Sequence, residues 1–130
     1  MRNFTLRRAR TKAAGSMLTS GDVVDLNLGD PEGREAGFRH PAVVVTAQRI
    51  LDADPSVIQV VPLTSTIRGF GSEVTVEPDH SNGLLQMSAA QCQHVRAVST
   101  GRVEQVGGNV GPAVVSQIRE TIALILDIPS

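Results

Sequence analysis

The sequence has little aromatic material and almost no cysteine. It contains no tryptophan, no tyrosine and three phenylalanines in 130 residues. Its single cysteine, Cys92, excludes an internal disulfide, as is usual for a reducing compartment. No apolar run reaches the roughly 18 residues of a transmembrane helix, and the N-terminus lacks the apolar core of a secretion signal. We therefore expect one soluble, cytoplasmic domain with no membrane partner.

Metal sites and nucleotide-triphosphate chemistry are also poorly supported. The three histidines, His40, His80 and His94, are scattered without the spacing of metal ligands, and Cys92 does not complete a set. No glycine-rich phosphate loop stands between a strand and a helix. We expect neither a metal nor a cofactor.

Basic residues are concentrated at the N-terminus. Residues 1–16 hold five of the twelve basic groups and none of the thirteen acidic ones, which leaves the remainder with a net charge of −6. Such a body does not attract nucleic acid through its overall charge, so local arginines have to recognise phosphate. Residues 1–16 have no periodic apolar set and end in Gly15-Ser16 before Met17. We favour a dispensable leader, such as a tag, over a basic RNA-binding arm, and expect residues 17–130 to form one domain.

Alternating apolar and polar residues predict a body rich in strands. Val24, Leu26 and Leu28 alternate with Asp25 and Asn27, as in a half-buried strand. Runs at residues 41–46 and 57–64 suit central strands, and residues 73–77, 84–89, 94–99 and 103–106 suit shorter ones. Residues 29–40 form a polar loop, longer than most connections between strands, and such loops often carry function.

The last segment changes its period. Apolar residues recur there at spacings of three and four, at Val114, Val115, Ile118, Ile122, Ile125 and Leu126. Gly111 and Pro112 provide the start of an amphipathic helix, and Pro129 lies beyond its end. Short strands followed by one helix predict a mainly β fold, a small antiparallel sheet or barrel with the C-terminal helix packed against it.

Two segments carry groups suited to RNA cleavage without a metal. They lie at the end of the polar loop and at the end of the 57–64 strand. They contribute Glu35, Arg39, His40, Thr64, Ser65, Thr66 and Arg68. Such a set can take a proton from a ribose 2′-hydroxyl, stabilise a phosphorane and orient a phosphate oxygen. From composition alone, a surface ion pair of Glu35 with Arg39 and a turn capped by Thr64 is the simpler interpretation.

The order of these pieces resembles the MazF/PemK family of toxin endoribonucleases. The matching segments are Gly21-Asp22, GDPEGREAGFRHPAVVV (29–45), VVPLTSTIRG (60–69), NGLLQMSAAQCQHVRAV (82–98) and the helix that ends in Leu-Asp-Ile-Pro. The resemblance implies an SH3-like barrel, a homodimer, a MazE-like antitoxin, and metal-independent, sequence-selective cleavage of single-stranded RNA by transesterification. The alternative is a CcdB-like toxin, which resembles the same barrel and poisons DNA gyrase without cleaving anything.

The resemblance implies four catalytic residues. Thr64 matches the family threonine, with Ser65 beside it, and these two would orient the phosphate. The family arginine usually stands directly before the strand proline, whereas here His40 does so and Arg39 lies one residue earlier. Adjacent residues on an extended segment point to opposite sides, so either Arg39 bends into the site or His40 faces it. Arg39 would stabilise the phosphorane and His40 would transfer the proton.

RNA binding is assigned to Glu35, Phe38, Arg68 and Arg96. The resemblance supplies the first and last, a loop carboxylate found in many relatives and an arginine that commonly follows the cysteine segment. Phe38 and Phe70 sit in glycine-containing loops and suit base stacking, although burial under the loops fits them equally well. Gln91 and Gln93 stand where the PemK branch carries an arginine and an aspartate for acid-base chemistry, so that mechanism is missing here.

Overall fold

A computed structural model describes residues 10–11, 17–29 and 39–129, with side chains for 17–29 and 40–129. Within these residues the chain forms eight strands and two α-helices. The strands are β1 (Arg10–Thr11), β2 (Asp22–Asn27), β3 (Arg39–Val44), β4 (Val57–Thr64), β5 (Glu73–Val76), β6 (Ser88–Gln91), β7 (Arg96–Ser99) and β8 (Val103–Asn109). The helices are α1 (Gln48–Leu51) and α2 (Pro112–Leu126), and 3₁₀ turns cover Cys92–His94 and Thr100–Arg102.

All strand pairings are antiparallel, as the sequence predicts. The strand order is β1-β8-β2-β3-β4-β6-β5, and β7 also pairs with β4. Strands β6 and β7 follow one another along the same edge of β4, separated by the Cys92–His94 turn. The two end strands, β1 and β5, do not pair with each other, so the sheet is open in the described part of the chain. The predicted mainly β fold with a C-terminal helix is confirmed.

The central strands are buried on both faces of the sheet. Val43 belongs to a core that α2 covers through Val115 and Ile118. Val44 belongs to a second core on the other face, together with Val60. Because successive side chains of a strand point to opposite faces, a strand buried on both sides needs a continuous apolar run. This requirement explains the run Ala-Val-Val-Val at residues 42–45, where a sheet with one wet face would show alternation.

Helix α2 begins and ends where the sequence predicts. Gly111 adopts a φ of +89° at the N-cap, and Pro112 occupies the first helical position. The Arg119 guanidinium donates to the Val45 carbonyl at 3.1 and 3.2 Å and to the Ser20 hydroxyl at 2.7 Å, which attaches the helix to the ends of β2 and β3. No helix among the described residues is long and apolar enough to cross a membrane.

Two predicted strands are wrong in part. In the predicted strand 84–89, residues up to Met87 lie outside the strand, which instead covers Ser88–Gln91. The buried Asn82 amide holds the preceding turn, since its Oδ1 accepts from Leu84 N at 2.9 Å and its Nδ2 donates to Glu77 O at 2.8 Å. The predicted strand 94–99 starts only at Arg96, and α1 was not predicted because four residues are too few for a helical period.

The N-terminal segment has one described contact with the body. Arg10 pairs with Val106 and Thr11 with Gln105, at the edge of β8. Residues 1–9 and 12–16 lie outside the described residues. That the whole of 1–16 is dispensable stays a prediction, and a protein that starts at Met17 tests the contribution of this short pairing.

Candidate active site

His40 and Thr64 lie on one face of the sheet, at the same end of β3 and β4. Ala42 pairs with Pro62, and His40 and Thr64 each lie two residues farther toward that end. Because residues two apart share a face, both belong to the face of Val44 and Val60. The structure therefore brings an imidazole and a hydroxyl from separate segments to one edge of the second core.

The surroundings of His40 favour its neutral form. Burial lowers the pKa of His40 below its ordinary value of 6.5, and the positive charge of Arg96 lowers it further, whereas the Asp25 carboxylate raises it. At pH 7 the ring is therefore mostly uncharged, and one of its nitrogens is able to accept a proton. This is the state that a general base requires.

Thr64 has a hydroxyl proton available for a ligand. Its Oγ1 accepts a hydrogen bond from the backbone N–H of Thr66 at 3.0 Å, so the predicted turn-capping role is present. A hydroxyl that accepts one hydrogen bond still has its own proton to donate. The half-buried Thr64 and the exposed Ser65 thus present hydroxyl groups at the site edge.

The loop 65–72 follows Thr64 directly and leads into β5, and its residues 65–71 are exposed. Its exposed side chains include Ile67, Arg68 and Phe70, and Phe70 is 54% exposed. The Glu73 carboxylate Oε1 accepts from Arg68 N at 3.2 Å and from Gly69 N at 2.9 Å. Arg68 therefore lies in the loop that follows Thr64, and the Glu73 carboxylate fixes the backbone at this arginine.

Arg96, on a third strand, lies on the same sheet face as His40 and Thr64, which we call the site face. It is exposed at the start of β7 and pairs with Val60, which places it on the face of His40. The positive charge of Arg96 helps to lower the pKa of His40. Arg39 pairs through its backbone with Asn27. The side chain of Arg39, and Glu35 and Phe38, lie outside the described residues.

Sequence reasoning missed three polar residues around the site. Asp25 acts on the charge of His40, and Glu73 holds the 65–72 loop. Asn27 fixes the chain where the polar loop begins, because its Oδ1 accepts from Gly29 N and its Nδ2 donates to Glu104. The only sequence signal was that each is a polar residue at or near the end of an alternating strand.

Nucleophilic thiol chemistry does not suit this site. Cys92 is fully buried, and burial raises the pKa of its thiol to about 11, so the reactive thiolate is scarce at neutral pH. Among the described residues no three histidine, cysteine, aspartate or glutamate side chains are grouped to hold a metal ion.

Comparisons with known proteins identify the family of this chain. Residues 19–126 match the family model described as PemK-like, MazF-like toxin of type II toxin-antitoxin system. The chain is 30% identical over 116 residues to a Mycobacterium tuberculosis protein named Endoribonuclease MazF9, covering 86% of this chain and 98% of the relative.

Solved structures show the same fold. A MazE-MazF structure from Deinococcus radiodurans superposes with a TM-score of 0.68 at 27% identity, covering 88% of this chain and 99% of that chain. The Mycobacterium tuberculosis toxin MazF-mt6 gives a TM-score of 0.67 at 20% identity, with coverages of 84% and 99%. The family match spans β3, β4 and β7, the 65–72 loop and all of α2, and so this chain belongs to the PemK/MazF family of toxins of type II toxin-antitoxin systems.

Proposed function

We propose that this chain is a sequence-selective endoribonuclease toxin that cleaves single-stranded RNA by transesterification without a metal. The observation that carries the proposal is the shared face of His40, Thr64 and Arg96, flanked by the exposed 65–72 loop. The relative named as an endoribonuclease supports cleavage over the CcdB-like alternative of gyrase poisoning.

The proposed reaction uses the side chains in distinct roles. Neutral His40 takes the proton of the ribose 2′-hydroxyl, and the 2′-oxygen attacks the adjacent phosphorus. Arg39 stabilises the added negative charge of the phosphorane, while Thr64 and Ser65 donate to phosphate oxygens. The bond to the 5′-oxygen then breaks, that oxygen takes up a proton from water, and His40 returns its proton to the solvent. The products carry a 2′,3′-cyclic phosphate and a 5′-hydroxyl.

RNA affinity in this proposal rests on few contacts. Arg68 and Arg96 supply positive charge at the site edge of an otherwise acidic body. Glu35 and Phe38 contribute from the polar loop, Phe38 by stacking on a base. With so few aromatic residues, main-chain contacts and arginine planes carry most of the recognition.

The proposed partners are an antitoxin and a second copy of the chain. The Deinococcus relative was solved together with MazE, which supports a MazE-like antitoxin here, and the family setting is consistent with the cytoplasm. The last turns of α2 expose apolar side chains that one copy leaves uncovered, with Leu124 at 81% and Leu126 at 57%. We place the homodimer contact on this end of α2 and the neighbouring barrel surface.

A long transcript incubated with the protein in a chelator tests the activity. We expect discrete fragments with 5′-hydroxyl and 2′,3′-cyclic phosphate ends, because no step requires a metal. Mapping the fragment ends on a defined transcript then gives the sequence preference. Intact RNA, together with inhibited supercoiling by gyrase, would instead support the CcdB-like alternative.

Light scattering tests the dimer. We expect a mass of about twice the chain mass of 13.8 kDa at micromolar concentration. Leu124→Asp should shift the protein toward the monomer, because it places a charge in the proposed contact. The matched control, His80→Asp, is exposed and lies outside α2, and it should stay dimeric. A monomeric wild-type protein would contradict the interface.

A further inference from the structure

The 65–72 loop is held by a carboxylate that stands outside the predicted site. Glu73, the first residue of β5, turns its side chain back onto the loop and accepts two consecutive backbone N–H groups, of Arg68 and Gly69, on Oε1. The Glu73 backbone N–H also donates to the Phe70 carbonyl at 3.0 Å. One residue thus contacts three consecutive loop residues.

The two carboxylate oxygens differ in their surroundings. Oε1 accepts both loop N–H groups, whereas Oε2 is buried with no hydrogen-bond partner in the part of the chain that the structure describes. Hydrogen bonds to a charged acceptor are stronger than neutral ones, so Oε1 provides a firm hold on the loop. A glutamine side chain keeps an accepting oxygen without the charge, so it should hold the loop less firmly than glutamate and more firmly than alanine.

The loop that Glu73 holds presents groups suited to a nucleic acid. Ile67 is 41% exposed and Phe70 is 54% exposed, with the cation of Arg68 between them in sequence. An aromatic ring next to a guanidinium suits a base with its adjoining phosphate. The loop starts directly after Thr64, so its shape decides which nucleotide lies next to the hydroxyl.

We propose that Glu73 is a positioning residue that sets the conformation of the 65–72 loop and thereby the RNA affinity and cut-site preference of the enzyme. The claims about RNA affinity and cut-site preference rest on the proposed ribonuclease function, whereas the claim about loop conformation does not. Glu73 acts through the loop, because both of its side-chain hydrogen bonds go to backbone N–H groups of Arg68 and Gly69.

Trypsin tests the hold on the loop independently of RNA. The peptide bond after Arg68 is a trypsin site, and the N–H groups on both sides of this arginine are the ones that Glu73 binds. We expect Glu73→Ala to speed cleavage at this bond by about tenfold or more, with Glu73→Gln recovering most of the protection. Thr75→Ala, exposed on the same strand, is the matched control and should cleave like wild type. Melting temperatures of all variants show whether they are folded.

RNA kinetics test the consequence. Glu73→Ala should raise KM for a defined transcript by about tenfold and relax its cut-site preference, with kcat within about twofold, whereas Glu73→Gln should lie between wild type and Glu73→Ala. Unchanged KM and cut sites in a folded Glu73→Ala protein, or unchanged trypsin cleavage, would overturn the inference while leaving the ribonuclease function intact. A wild-type protein that leaves RNA uncut would instead overturn the proposed function, and the inference about RNA with it.

Discussion

Alanine in place of His40 or of Arg39 is expected to lower the rate of RNA cleavage by about 10²-fold or more, with the fold retained. His40→Ala removes the proposed base, and Arg39→Ala removes the charge that stabilises the phosphorane. The rate is measured on a defined transcript, and circular dichroism melting confirms folding. His80→Ala and Arg49→Ala, both exposed and outside the assigned site residues, are the matched controls and should cleave at the wild-type rate. Wild-type rates for both folded site variants would remove this assignment.

The pH profile separates the role of His40 from that of a structural residue. Because burial and then Arg96 lower its pKa, the acid limb of kcat/KM should lie below pH 6.5 in the wild type and be lost in the residual activity of His40→Ala. The lowered pKa of His40 also makes the stability of the folded protein depend on pH. Between pH 6.5 and the lower pKa of the folded state, the unfolded chain binds a proton at His40 that the folded chain does not. The free energy of unfolding should therefore decrease as the pH is lowered through this range.

The sequence predicts the sheet well because its signals are local. The 57–64 run and the α2 boundaries follow from β-branched residues, Gly111 and Pro112, and the structure confirms them. The strand predicted at 84–89, which the structure places at Ser88–Gln91, is a case that local signals do not predict. The buried amide of Asn82 binds backbone groups on both sides of itself, and neither its burial nor its partners have a periodic signature.

The candidate site is harder to predict because it depends on register. Sequence order separates His40 from Thr64 by 24 positions, and only the pairing of Ala42 with Pro62 brings them to the same end and face. The resemblance to toxin ribonucleases points to the two segments that this pairing brings together. It says nothing of Glu73, which binds backbone N–H groups of a loop, or of Asp25, which acts on His40 through its charge.

Gly108 is the position where one added methyl group should cost the most stability. A Cβ there would lie 2.5 Å from Ser81 O and from the Asn82 carbonyl carbon, which are backbone atoms of the turn packed on β8. This turn has little freedom to move, since Asp79 Oδ1 accepts from Ser81 N and Asn82 N at 2.8 Å, and Ser81 O accepts from Asn109 N at 2.8 Å.

Gly108→Ala should therefore lower the free energy of unfolding by about 3 kcal/mol, near the upper end of the usual overpacking range, and the melting temperature by about 10 °C. Gly71→Ala is the matched control, because a Cβ at Gly71 meets no atom within 4 Å, and it should melt like wild type. Thermal denaturation followed by circular dichroism measures both variants. Equal melting temperatures for the two would mean that the 79–82 turn moves away from β8 at little cost, and that its hydrogen bonds do not hold it against the strand.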